Sequence, residues 1–181
     1  MLLLSKSITE QPIMSLRSGG RIATAHQPLF NPDNLKIIGF HSTDSFSGER
    51  LILLTQDIRD HIDKGFVVDD IDTLADPEDL IRLKELLEID FTLVGKPVLT
   101  DARKKIGKVN DYAVDSTSFY IQKLYVTQSL IKNFAQGELS VDRKQILEVT
   151  DKNIVIKDPQ QLTKVKAEQH QQKPHPRPAT G

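Results

Sequence analysis

The sequence predicts a mainly β protein: two small β-barrels in tandem, one α-helix between the repeats and a disordered C-terminal tail. Three observations carry this expectation. A segment of the chain recurs at a near-constant separation. Strand-sized apolar runs follow one another every 8–15 residues with polar turns between them. No helical pattern alternates with those runs, which argues against a βαβ sheet.

The repeat is clearest in Asp63-Lys64-Gly65-Phe66-Val67-Val68-Asp69-Asp70, which returns 88 residues later as Asp151-Lys152-Asn153-Ile154-Val155-Ile156-Lys157-Asp158. Leu53…Asp57-Ile58 parallels Val141…Gln145-Ile146 at the same separation. Pro12-Ile13-Met14 parallels Pro97-Val98-Leu99 at 85, and Arg21-Ile22-Ala23 parallels Lys105-Ile106-Gly107 at 84. The growing offset places extra residues in the second repeat around Gln128 to Gly137. Gly65 and Asn153 share a turn position, and both residue types tolerate positive φ before a β-branched run.

In the first repeat the predicted strands are Ile13–Leu16, Arg21–Ala25, Leu35–His41, Leu51–Leu54 and Phe66–Asp69. In the second they are Pro97–Thr100, Lys105–Val114, Phe119–Thr127, Gly137–Ser140, Gln145–Val149 and Asn153–Lys157. Between the repeats Asp76 is a competent N-cap, Pro77 suits the first helical position, and Glu78 and Asp79 complement the macrodipole. Leu80, Ile81, Leu83 and Leu87 then recur at helical spacing to about Glu88. A shorter helix is expected from Ser129 through Leu130, Ile131 and Phe134, stopped by Gly137. From Pro159 onward only Leu162 and Val165 are large and apolar, which is the composition of a disordered tail. The chain thus divides into a first repeat over 1–72, a helical linker over 73–90, a second repeat over 91–158 and a tail over 159–181.

The second repeat reads Gly95-Lys96-Pro97-Val98, then Lys105-Ile106-Gly107-Lys108-Val109-Asn110-Asp111, a hydrophobic strand Ile121–Val126, and Ile146 with Ile154-Val155-Ile156-Lys157-Asp158 at the end. This order resembles the PRC-barrel, the small β-barrel of photosynthetic reaction-centre H subunits and of the ribosome-maturation factor RimM. The resemblance covers about Phe91 to Asp158 well and Leu2 to Asp70 more loosely, with Ala23 in place of the expected Gly and Gln11 before Pro12 in place of Lys. It implies a non-catalytic module that binds proteins or docks onto a larger assembly, and it brings no functional-site motif. The chain lacks the membrane helix of H subunits, and both of its halves look like PRC-barrels, unlike RimM-type proteins.

Charge sharpens the picture. The chain carries 24 Lys and Arg against 25 Asp and Glu, a formal net of −1, which excludes an overall polycation or polyanion. Residues 1–94 nevertheless hold 9 cations and 16 anions, and residues 95–181 hold 15 and 9. Cysteine is absent, so disulfides, zinc–thiolate sites and thiol nucleophiles are excluded and a reducing cytoplasm is the expected setting. Met1-Leu2-Leu3-Leu4-Ser5-Lys6 lacks the basic start and the apolar run of about 7–15 residues of a signal peptide. No run approaches the roughly 18–20 apolar residues of a membrane span.

The densest cation cluster, Arg103, Lys104, Lys105 and Lys108, is the candidate contact for an acidic protein partner or for RNA. The acidic cluster Asp69, Asp70, Asp72, Asp76, Glu78 and Asp79 lacks the glycine of a calcium loop and reads as a linker with a capped helix start. Asp57-Ile58-Arg59-Asp60-His61 lacks the paired histidines of a zinc site. No phosphate loop, dinucleotide fingerprint or nucleophile elbow is present. No catalytic residue, metal or cofactor is therefore expected.

Leu35, Ile37, Ile38 and Phe40 in the first repeat, and Phe119, Ile121 and Tyr125 in the second, lie in strands apolar on both faces, the last three standing opposite Tyr120, Leu124 and Val126. A half-exposed strand would be apolar on one. These residues are the candidate seam through which two barrels pack in pseudo-twofold fashion. The functional expectation is a non-enzymatic cytoplasmic adaptor that docks a protein partner. The alternative is an RNA- or ribosome-associated maturation factor that uses the basic second barrel. No membrane insertion is expected, and the oligomeric state is open.

Overall fold

The computed structural model describes residues 1–128 and 138–159. The first half carries β1 (Leu2–Leu4), β2 (Gln11–Ser15), β3 (Arg21–Asn31), β4 (Lys36–Asp44), β5 (Arg50–Leu54), β6 (Asp60–Ile62) and β7 (Gly65–Val68). After a linker with α1 (Lys84–Ile89) come β8 (Pro97–Thr100), β9 (Lys105–Asp115), β10 (Ile121–Gln128), β11 (Glu138–Asp142), β12 (Ile146–Val149) and β13 (Ile154–Ile156). The short helix expected from Ser129 and the tail beyond Pro159 lie outside the described residues.

The strands form two sheets of one plan. The first runs β5-β4-β3-β2-β7-β6 and the second β11-β10-β9-β8-β13-β12, with β1 added to β9. Each has a single parallel pair at the same place. Ile13 lies opposite Phe66 in the first, and Val98 opposite Ile154 in the second. These partners carry the offsets 85 and 88 of the sequence repeat. The offset is still 84 at Leu124, opposite Val141, against Phe40, opposite Leu53. The extra residues of the second half therefore lie between β10 and β11.

Neither sheet closes into a barrel: β5 and β6 end one path and β11 and β12 the other. In the first half the linker takes the outer edge of β5. The Ile52 N–H donates to the Ala75 carbonyl at 2.8 Å, and the Ala75 N–H donates back at 2.9 Å. At Ile52 the linker, not β6, pairs with the edge of β5.

The linker also departs from one continuous helix over Asp76–Glu88. Asp76 caps as expected, its side chain accepting from the Glu78 N–H at 2.8 Å. Only a 3₁₀ turn follows, because Leu80 leaves helical geometry at ψ 56°. A second 3₁₀ turn over Ile81–Leu83 leads into the six residues of α1, and none of these pieces holds a fully buried residue. Without a buried apolar face a helix this short has little to hold it.

The apolar double faces of the two long strands have a local cause. Phe30 pairs with Ile37 but Leu29 with Gly39, so Ile38 is an extra residue; Val114 pairs with Ile121 but Ala113 with Lys123, so Gln122 is its equivalent. A β-bulge shifts the side-chain phase by one residue. Inward positions are thus odd before the bulge (Leu35, Ile37; Phe119, Ile121) and even after it (Phe40, Ser42; Leu124, Val126), and all eight are buried. Ile38 and Tyr125 fall outside this set and are half-buried.

The leading segments change sides. β1 pairs with β9 of the second sheet, Leu3 opposite Val114, while α1 packs on β3 of the first. One continuous apolar cluster joins both halves, with Phe30 of the first edge-on to Phe91 and Tyr112 of the second at 6.0 and 5.6 Å. Gly65 cannot be replaced without moving the backbone. It sits at φ 122°, and a Cβ there would lie 2.0 Å from the Pro12 carbonyl oxygen. Asn153 at the matching position keeps a negative φ.

Because each half completes the other, residues 89–160 expressed alone are expected to be unfolded or self-associated. Dispersed amide resonances from a monomer in ultracentrifugation would contradict this.

Candidate functional site

The two sheets meet about Lys36 and Tyr120, equivalent residues that face each other in an antiparallel bridge. The Ile37 N–H donates to the Phe119 carbonyl at 2.9 Å, and the Ile121 N–H donates to the Leu35 carbonyl at 2.9 Å. Leu35 and Phe119 both adopt left-handed backbone, at φ 49° and 58°, which costs on the order of 1 kcal/mol or more for such side chains. That conformation turns each carbonyl toward the opposite half. Phe119 reaches across and meets the Phe40 ring edge-on at 6.3 Å, and Phe40 in turn packs on Phe66 at 4.8 Å.

Arg143 locks the seam, and no motif in the sequence marks it. Its guanidinium donates to the Ile121 carbonyl at 3.0 Å and across the seam to the Asn34 carbonyl at 2.6 Å. The same group stacks over the Tyr120 ring at 4.9 Å, and the Lys36 ammonium sits 5.4 Å from that ring. The equivalent position in the first half is Thr55, whose hydroxyl donates to the Ile37 carbonyl at 3.3 Å. Comparing residues 88 apart would have singled out this pair.

The basic cluster lies on the β8–β9 turn. Thr100 shapes it: its N–H donates to the Lys104 carbonyl at 2.8 Å, and its buried hydroxyl accepts from the Lys104 N–H at 3.2 Å. Arg103 sits at the left-handed position, φ 61°, and its guanidinium pairs with Glu148 at 3.4 Å. Lys104, Lys105 and Lys108 are exposed and have no carboxylate partner among the described residues. The structure brings these four cations together on one hairpin. Of the aromatic residues nearby in sequence, Phe119 is buried, Tyr120 is covered by Lys36 and Arg143, and Tyr125 is half-buried on β10.

The acidic residues before the linker have structural partners. Asp69 holds Arg59 through two hydrogen bonds at 3.0 and 2.6 Å, and this guanidinium keeps its carboxyl below the ordinary range. Asp70 is lowered by the Ile71 N–H and the Ser15 hydroxyl, and its other oxygen meets Arg17 at 2.8 Å. Asp57 is raised by its partial burial. No cluster of three or more metal-ligating side chains occurs among the described residues. Glu10, His26 and Thr43 form an exposed chain of contacts at 3.0 Å on the first sheet, which links β3 to β4.

An open cleft of about 780 Å³ lies between the halves. Gln11, Ser7 and the Arg59–Asp63 segment line it from the first half, and Ser116, Thr117 and Phe119 from the second. In the turn that carries Ser116 and Thr117, the Asp115 carboxylate accepts from the Ser118 N–H and the Ser118 hydroxyl, both at 2.8 Å, and from the Thr117 N–H at 3.3 Å. These bonds, the Ser118 backbone first, hold its pKa down at about 2.

Neither protein-family models nor curated proteins give a match to this sequence.

Arg143→Met is expected to cost about 1–3 kcal/mol, since it strands two carbonyls at the seam, whereas exposed Lys144→Met changes stability by under about 0.5 kcal/mol. Urea unfolding of both variants checks this. Asp115 is depressed on folding, so its contribution is complete above its ordinary value of 3.8 and is lost as pH falls toward about 2. Asp115→Asn is expected to lower stability at neutral pH and to flatten the stability loss between about pH 4 and 2. Thermal melts of both proteins across that window give the comparison.

Proposed function

We propose that the protein is a non-enzymatic adaptor, built from two PRC-barrel-like repeats, that docks an acidic protein partner through the β8–β9 turn. The observation that carries this reading is the exposed, carboxylate-free trio Lys104, Lys105 and Lys108 on a hairpin fixed by Thr100. Unpaired cations on a stiff element lose little order when they bind, and their field steers an acidic surface toward them. The acidic first half and basic second half give the two faces different partner preferences.

The RNA-associated alternative shares the same cations but lacks support from the aromatic residues. Single-stranded RNA recognition uses exposed rings on which bases stack. Phe119 is in the core, and both cations near Tyr120 are already over its ring. A protein partner therefore fits the surface better. No described helix is long and apolar enough to cross a membrane, and a cytoplasmic setting accords with the cysteine-free sequence.

The full chain, used as bait in a lysate from its source cells, is expected to retain an acidic protein after nuclease treatment and to lose it with Lys104→Glu/Lys105→Glu. Capture that disappears with nuclease would turn the reading to RNA. Capture unaffected by the double charge reversal would remove the β8–β9 turn from it.

A further inference from the structure

The duplication allows each surface of the first half to be compared with its equivalent in the second, and the comparison separates sharply at one place. Gln11 corresponds to Lys96, Asp63 to Asp151, and Lys6 and Ser7 to the vicinity of Phe91. In the second half these equivalents touch. The Lys96 ammonium donates to the Asp151 carbonyl and lies 4.3 Å from the centre of the Phe91 ring. Partial burial holds the Lys96 pKa below the ordinary lysine range, and Phe91 is only 7% exposed. That corner is filled by a cation over an aromatic ring.

In the first half the same corner is open. Gln11 is shorter than lysine and uncharged, and no ring stands at Lys6 or Ser7. The result is the cleft of about 780 Å³ that Ser7, Gln11 and Asp63 line. Its floor includes the ring of Phe119, and along one wall runs β6. β6 is the last strand of its sheet, so among the described residues its outer edge pairs with no other strand. On the first-half side Asp60 and Asp63 are exposed at its rim, and the Arg59 guanidinium beside them is already paired with Asp69.

We infer that this cleft is a second binding site, separate from the basic turn, for an extended peptide segment of a partner protein that carries a lysine two residues from an aromatic one, the spacing that puts both side chains on one face of a strand. The filled corner shows the chemistry the open one can take. The peptide ammonium would sit at the Asp63 carbonyl, as that of Lys96 sits at Asp151, and its ring would take the space that Phe91 fills. The cation over the ring adds the attraction such pairs gain when partly desolvated. The outer edge of β6 pairs with no described strand, and its His61 N–H meets only the exposed Asp60 carboxylate, so an extended backbone can add there in the usual way a sheet takes on a peptide strand. The carboxylates at the rim favour a basic peptide over an acidic one.

The test uses a phage-displayed random linear-peptide library selected against the full chain. Enriched peptides are expected to contain lysine two residues from phenylalanine, tyrosine or tryptophan. Their affinity is expected to fall about tenfold or more in Ser7→Phe/Gln11→Lys, which fills the cleft as the second half is filled, and also in Asp63→Lys, an exposed change that leaves the cleft open. Circular dichroism melts confirm that each variant is folded. Lys104→Glu/Lys105→Glu should bind the peptides as the parent does, which separates this site from the basic turn. No enrichment, enriched peptides without the lysine–aromatic pair, or binding undiminished in a folded cleft variant would each overturn the inference.

Discussion

Everything in this molecule is arranged about one reciprocal contact, the pair of hydrogen bonds between Ile37 and Phe119 and between Ile121 and Leu35. Net of solvent exchange, such bonds are worth only about 1 kcal/mol each. Their importance is geometric. They fix the pseudo-twofold relation between the sheets, place Phe119 against Phe40, and bring Asn34 within reach of Arg143. The left-handed backbone at Leu35 and Phe119 is tolerated because both side chains are buried at the joint it creates. The crossing of β1 and α1 onto opposite sheets then makes the halves interdependent, as expected for repeats too small to be robust alone.

Where a duplicated protein keeps its symmetry, it shows what the fold requires. Ser15 and Thr100, both buried, organise equivalent turns, and the bulges at Ile38 and Gln122 rephase equivalent strands. Where symmetry lapses, a surface has been released from that requirement. Arg143 against Thr55 is a lapse that strengthens the seam. Lys96 against Gln11, and Lys104 against Gly20, are lapses that change what each half presents to a partner. Opposite charge in the halves follows from the same divergence.

Much of the fold was legible along the chain. Ten of the eleven expected strands overlap described strands at their core residues, and the Gly137–Ser140 run overlaps β11 in its described part. The strands that went unread, β1 and β6, have three residues each and little local signal of their own. They exist because a neighbouring strand offers its edge. The single linker helix differs for the converse reason: its caps and spacing are sound, but Leu80 leaves helical geometry and no residue of its pieces is fully buried. Apolar residues on both parities of β4 and β10 suggested two buried faces, whereas a bulge lets one face collect both parities. The basic cluster was readable as composition, and the cleft was not, since it is lined by segments from Ser7 to Phe119 that no local pattern joins.

Local chemistry thus dictated the β class, the duplication and its offsets, the turn positions and the cationic hairpin, because periodicity and turn preference act over a few residues. Sheet closure, the crossing of the leading segments, the Arg143 lock and the open corner beside Gln11 were decided only in three dimensions. Each depends on whether a group finds a partner far away in sequence. Ala75 takes the place of a strand beside Ile52 at the edge of β5, and Lys96 with Phe91 fills one corner while its equivalent stays open.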